Sequence, residues 1–186
     1  MKIIQKLSTH FDERKTDIDM IVFHATATNS VEETLSIFID NNEEGARVSS
    51  HYVIDRDGTI YQVIPEEKRA WHAGISCWGD IKEDINSHSI GIEFQCPAAG
   101  EKTFTEFSKE QIDSGLKLCA DIMKRYNIKP ENVVAHSDIA PDRKFDPGQT
   151  FPWEIFCENG LAVNPIRRPI IFENGINLLK EEENRC

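Results

Sequence analysis

The fourteen residues from Ala135 to Gly148, AHSDIAPDRKFDPG, bring together one histidine, three aspartates, an arginine and a lysine. Pro141 and Pro147 keep the stretch from becoming a helix and stiffen it as a loop. Imidazole and carboxylate groups in this density are the residue types that bind metals and move protons. A catalytic zinc takes three protein ligands from imidazole, carboxylate or thiolate and leaves a fourth position for water. His136 and Asp146 on this loop, with His24 at the end of a distant apolar run, form such a set. Six histidines in the chain allow other triples, so spacing alone leaves the assignment open. The chain has no H-E-x-x-H helix, no G-x-S-x-G, no P-loop and no G-x-G-x-x-G, which argues against those protease, serine-hydrolase and nucleotide-binding chemistries.

Elements able to position these residues are legible around them. Asp19-Met-Ile-Val-Phe23 and Asn132-Val-Val-Ala135 are short apolar runs that read as buried strands, each ending at a histidine. Ile90, Ile92 and Phe94 alternate with Gly91, Glu93 and Gln95, so Glu93 points away from the apolar face of its strand. Residues 51–55 and 59–64 flank an Asp57-Gly58 hairpin turn. Ser30-Val-Glu-Glu33 opens a capped helix running to about Asn41, with Val31, Leu35 and Phe38 on one face. Ser108-Lys-Glu-Gln111 opens a second, whose Ile112, Leu116, Cys119, Met123 and Tyr126 recur at helical spacing until Asn127 and Pro130. Strands and helices interleave, which predicts one mixed sheet with helices on its faces.

At 186 residues the chain reads as one domain, and a net charge of -11 argues against nucleic acid or an anionic membrane as partner. Five scattered cysteines without a C-x-x-C pair are expected as free thiols, with Cys119 in the core. The first fifteen residues hold no apolar run of seven, so neither a signal peptide nor a spanning helix is expected. The expected compartment is therefore the cytoplasm; a chain trimmed of its signal would instead be periplasmic or outer-membrane associated. His10 is expected in an exposed N-terminal segment, and residues 164–186 as a short linker and polar helical tail after a domain spanning 1–163.

Several segments in fixed order resemble one family: Val22-Phe-His-Ala-Thr26, Ser50-His-Tyr52, Ala70-Trp-His-Ala-Gly-Ile-Ser76, Ser89-Ile-Gly-Ile-Glu93 and the loop Ala135 to Gly148. They look like the zinc-dependent N-acetylmuramoyl-L-alanine amidases of the AmpD/AmiD type, relatives of phage T7 lysozyme and the peptidoglycan-recognition proteins. The resemblance implies an α/β (α+β) domain with a mixed, about five-stranded sheet flanked by helices. It implies a single zinc ion held by His24, His136 and Asp146, with Glu93 as general acid/base and Lys144 as the cation that stabilises the transition state. It further implies muropeptides as partners and hydrolysis of the amide between the lactyl group of muramic acid and L-alanine of the stem peptide. Residues 71–78, 128–134 and 151–153 look more like the branch that accepts both 1,6-anhydro and ordinary muramyl ends.

Physical chemistry is consistent with those roles. Two neutral imidazoles and one carboxylate leave a zinc centre net positive, which favours hydroxide at neutral pH. Lys144, two residues from Asp146, can face the same pocket in an extended loop. His72 and Trp71 are expected to line the substrate cleft, and Arg143 to pair with a stem-peptide carboxylate. Two other readings are a non-catalytic peptidoglycan-binding module and a zinc peptidase acting on stem peptides. The protein is expected to be a monomer.

Overall fold

The computed structural model describes residues 2–40 and 47–163, so the linker and tail expected over 164–186 lie outside the described residues. In chain order the elements are β1 (Ile3–Gln5), β2 (Phe11–Glu13), β3 (Met20–Ala27), α1 (Val31–Asp40), β4 (Tyr52–Ile54), β5 (Ile60–Gln62) and β6 (Lys68–Ala70). They continue with α2 (Ile85–His88), β7 (Ser89–Gly100), β8 (Thr103–Phe104), α3 (Lys109–Tyr126), β9 (Val133–Ala135), α4 (His136–Ile139) and α5 (Trp153–Glu158). The main sheet has the order β1-β5-β4-β7-β3-β9, with β8 folded back on β7, and β2 pairs with β6 in a separate ribbon. The strands β4, β7, β3 and β9 are parallel neighbours, while β4 and β5 form the antiparallel hairpin. This is the expected mixed α+β sheet, extended at one edge by β1.

Alternation divides the sheet into two faces. Ile21, Phe23, Ile90, Ile92, Phe94, Tyr52, Ile54, Val133 and Ala135 project to one face, where α3 and α5 cover them. Phe23 lies at its centre, with ring centroids 5.3 Å from Phe94, 5.0 Å from Phe156 and 5.4 Å from Trp153. Each such ring pair adds about 0.5–1.5 kcal/mol beyond area burial. The Ser108 hydroxyl caps α3 by accepting from the Gln111 N–H, and left-handed Asn127 ends the helix. Its buried face runs through Ile112, Gly115, Leu118, Cys119 and Ile122, and the expected Leu116, Met123 and Tyr126 flank that face half-buried. Gly115 sets the contact, because a Cβ there would lie 2.7 Å from the Phe94 ring.

On the opposite face Met20 and Val22 pack with Val134, Ile85 and Ile139, while Val31 and Phe38 of α1 pack on Val53, Val63 and Ile64. Strand β7 places Gly91 and Glu93 between these two apolar clusters, so this face carries the polar strip.

Three expectations are corrected. Strand β3 does not end at His24 but pairs on to Ala27, because Ala25 and Ala27 still find partners in Phe94 and Pro97 of β7, with a register shift between them. His10 is buried, since the residues after it pair as β2; its ring stacks on Trp71 and its carbonyl accepts from the Ser49 hydroxyl at 2.6 Å. Cys96 and Cys119 are free thiols as expected, but Cys77 is disulfide-bonded. Among the described residues no helix is long and apolar enough to cross a membrane.

Candidate metal centre

Parallel pairing of β3 with β7 sets His24 directly opposite Glu93 on the polar face. On the other side of β3, Val22 pairs with Val134, and two residues further on, just past the end of β9, His136 opens α4. Asp146 reaches the same point from the loop after α4, and its carbonyl accepts from the Ser137 N–H at 3.0 Å. Three residues from three places in the sequence therefore meet at one end of two adjacent strands.

Their donor atoms converge. His24 Nδ1 lies 3.0 Å from His136 Nδ1 and 3.0 Å from Asp146 Oδ2, and His136 Nδ1 lies 3.1 Å from the same oxygen. Zinc–ligand bonds of about 2.0–2.1 Å in a tetrahedron imply edges of roughly 3.3 Å, so the three lone pairs already stand near ligand spacing. Among the described residues this is the group of histidine, cysteine and carboxylate side chains that could hold a metal ion. His24 is 2% exposed, and burial followed by the neighbouring His136 lowers its pKa to about 4, which keeps it a neutral donor. Burial would raise the Asp146 carboxyl, but hydrogen bonding with His136 and His24 outweighs it and holds the group well below the usual carboxylate range.

Glu93 is electrostatically the opposite case. It is 9% exposed, and its Oε2 is buried with no hydrogen-bond partner. Burial and then the negative charge of Asp146 push its pKa well above the carboxylate range, against the pull of Lys144. Lys144 thus acts electrostatically on both Glu93 and His24, and it lines an open cleft with Ala27, Lys102, Phe104 and Asp146. Asp138, a third carboxylate of the loop, instead accepts from the Ala135 N–H at 2.8 Å and closes the turn into α4.

The three residues expected to bind substrate are placed differently. His72 is buried, with Nδ1 3.0 Å from His24 Nε2 and Nε2 3.2 Å from Ser89 Oγ, so both ring nitrogens face protein. The Arg143 guanidinium folds back to donate to the carbonyls of Ala73 and Ile75. Trp71 stands half-buried on the β2–β6 side, its indole N–H donating to Asp12 at 2.8 Å.

Sequence reasoning missed Arg14, whose guanidinium donates to the carbonyls of Glu66, Lys68, Asn86, Ser87 and Ser89 and so fastens the segment before His72 to the turn before β7. Burial lowers its pKa to about 10, which leaves it charged at neutral pH. Asn86 carries no motif of its own, and Ser89 opens a family-like segment that gives no sign of its bonds to His72 and Ile85.

The family described as N-acetylmuramoyl-L-alanine amidase matches residues 14–149. The chain is 37% identical to the N-acetylmuramoyl-L-alanine amidase AmiD of Escherichia coli K12 over 91% of its own length and 65% of that protein. It is 36% identical to the 1,6-anhydro-N-acetylmuramyl-L-alanine amidase AmpD of Haemophilus influenzae, covering 82% of this chain and 89% of AmpD. It is similar in structure to E. coli AmiD solved with anhydro-N-acetylmuramic acid-L-Ala-D-gamma-Glu-L-Lys, with a TM-score of 0.69 and 41% identity over 78% of this chain and 58% of that one. With the match spanning most of the described fold and all eight candidate site residues, the chain belongs to the N-acetylmuramoyl-L-alanine amidase family.

Proposed function

We propose that the protein is a zinc-dependent amidase that hydrolyses the bond between the lactyl group of N-acetylmuramic acid and L-alanine of the stem peptide, on both 1,6-anhydro and ordinary muramyl ends, in cell-wall recycling or turnover. The observation that carries this reading is the convergence of His24 Nδ1, His136 Nδ1 and Asp146 Oδ2 beside a buried glutamate with an unpartnered oxygen. Two neutral imidazoles and a carboxylate are a donor set that suits one zinc ion. When bound, the zinc supplies Lewis acidity and lowers the pKa of a water to about 7.

The residues of the chain perform the rest. Glu93 takes the proton of the attacking water and hands it to the alanine nitrogen as the carbon–nitrogen bond breaks. Its burial makes it a weak acid, able to hold the proton in transit. The Lys144 ammonium meets the negative charge that develops on the carbonyl oxygen. The substrate class follows the anhydromuramyl peptide bound to E. coli AmiD.

Digestion of purified anhydro- and non-anhydro-muropeptides, with chelator and after zinc is restored, tests reaction, metal and specificity together. Mass spectrometry is expected to show free stem peptide and intact sugar, lost on chelation and regained with zinc. Cleavage inside the stem peptide would mark a peptidase, and retention without turnover a binding module.

A further inference from the structure

Both histidines of the triad turn Nδ1 toward the convergence point, so a metal ligated there requires the ring proton of each on Nε2. Each Nε2 meets an acceptor from one dipeptide. His24 Nε2 lies 3.0 Å from His72 Nδ1, and His136 Nε2 lies 3.0 Å from the Ala73 carbonyl oxygen.

The protons beyond His24 have one consistent arrangement. Ser89 Oγ lies 2.7 Å from the Ile85 carbonyl, which can only accept, so the hydroxyl donates there. Ser89 Oγ is then the acceptor for His72 Nε2–H at 3.2 Å. His72 Nδ1 is left with a lone pair, which accepts from His24 Nε2–H. Donation runs from His24 to His72 to Ser89 and ends on the Ile85 carbonyl, and the chain leaves a lone pair on His24 Nδ1.

The surroundings are built for this pair of residues. The His72 ring lies in a slot that only glycine leaves open: a Cβ on Gly91 would fall 2.6 Å from His72 Cγ. The buried Asn86 side chain holds the dipeptide by its backbone, its Oδ1 accepting from the N–H groups of His72 at 3.1 Å and Ala73 at 2.7 Å. Arg143 fixes the same turn through the carbonyls of Ala73 and Ile75.

We propose that His72-Ala73 is the outer shell of the metal centre. His72 is a positioning residue that fixes the tautomer and ring orientation of His24, the Ala73 carbonyl does the same for His136, and Asn86 holds both in register. The proposal rests on the zinc reading above. Outer partners of this kind change metal affinity by about 10- to 100-fold when removed.

Zinc affinity is measured by competition with a chelator for wild type, His72→Phe, His72→Asn, Asn86→Ala and Asn86→Asp. The ring without nitrogens is expected to weaken binding about 10- to 100-fold, and Asn, whose Oδ1 replaces Nδ1, to recover most of it. Asn86→Ala is expected to weaken binding and Asn86→Asp, which keeps an acceptor oxygen, to restore it. Long-range proton–nitrogen correlation spectra of the wild type are expected to show the His72 proton on Nε2. Wild-type affinity in His72→Phe, or failure of Asn to rescue it, overturns the proposal. So does a His72 proton on Nδ1, which is readable even if the Phe variant does not fold. A wild type that binds no zinc overturns the preceding reading instead.

Discussion

Glu66 and Glu93 are both buried carboxylates near the sheet, and their surroundings drive them in opposite directions. Burial raises the pKa of each. At Glu66 that effect is outweighed by donors: Arg125 binds both oxygens, and the hydroxyls of Tyr52 and Tyr126 donate at 2.8 Å each, so the carboxyl is held below its ordinary value. At Glu93 an oxygen has no donor, and burial together with the like-signed charge of Asp146 outweighs the pull of Lys144, so the carboxyl is pushed up. A satisfied carboxylate ties the end of α3 to the sheet, whereas an unsatisfied one is left free to exchange a proton. The number of donors, not burial, sets the direction of each shift here, and a raised, unpartnered carboxyl is the kind that suits the proton transfer proposed for Glu93.

The sharpest way to break this contrast is to remove proton exchange at Glu93. Glu93→Gln is expected to lower turnover of a muropeptide by about 10²- to 10⁴-fold, read by product mass spectrometry, with zinc content unchanged. An active, zinc-loaded variant would remove Glu93 from the chemistry. Lys144→Met, which keeps the stem and deletes the charge that acts on Glu93, is expected to cost about 10²-fold in kcat. At the other site the effect is on stability. Glu66→Ala strips the acceptor from an arginine and two tyrosines and is expected to cost about 2–3 kcal/mol in denaturant unfolding, the ion pair being discounted because Arg125 is 39% exposed. Turnover by the folded variant should stay within about twofold of wild type, since the Glu66 side chain bonds Tyr52, Arg125 and Tyr126, none of them a candidate metal ligand or catalytic residue, and the carbonyl that accepts from Arg14 is kept in the variant.

The smallest and most discriminating effect is the pH dependence of stability in metal-free protein. Glu66, depressed below 4.5, contributes stability that is present above pH 4.5 and is lost as pH falls through its folded pKa. Glu93, raised above 4.5, does the reverse: its burial costs stability that grows as pH rises from about 4.5 toward its folded pKa. Thermal melts should therefore show Glu93→Gln more stable than wild type at pH 8, by a few degrees, with the gain vanishing near pH 4. Glu66→Gln should be less stable than wild type at pH 7, with the deficit shrinking toward pH 3. Parallel pH profiles for the two variants would contradict the opposed shifts.

Much of this was legible because local signals agreed with the fold. The capping residues Ser30 and Ser108 mark the starts of α1 and α3, and the alternation of Ile90, Ile92 and Phe94 turns Glu93 to the polar face. The loop after β9 offers His136 and Asp146 as candidates by residue type, and the family resemblance is what joins them to His24. What could not be read is what depends on contacts between distant segments. Nothing local shows that His72 meets His24 across 48 residues, that Arg143 turns inward to Ala73, or that His10 is covered by Trp71. Strands of three residues such as β1, β2 and β6 carry too little pattern to announce themselves, and tertiary pairing decides them.

Two of the three candidate metal ligands hang from the margin of the sheet: β9 is the last strand in the order, paired only with β3 among the described strands, and His136 and Asp146 follow it. His24 belongs to the interior strand, 112 residues earlier in the chain. An ion shared by the three is thus a rivet across that seam, joining the early and late parts of the chain. Peeling β9 by its three residues would part His136 from His24 and at the same time lift Val133 and Ala135 off the aromatic core, so an ion bound there would hold that edge of the core as well as the site.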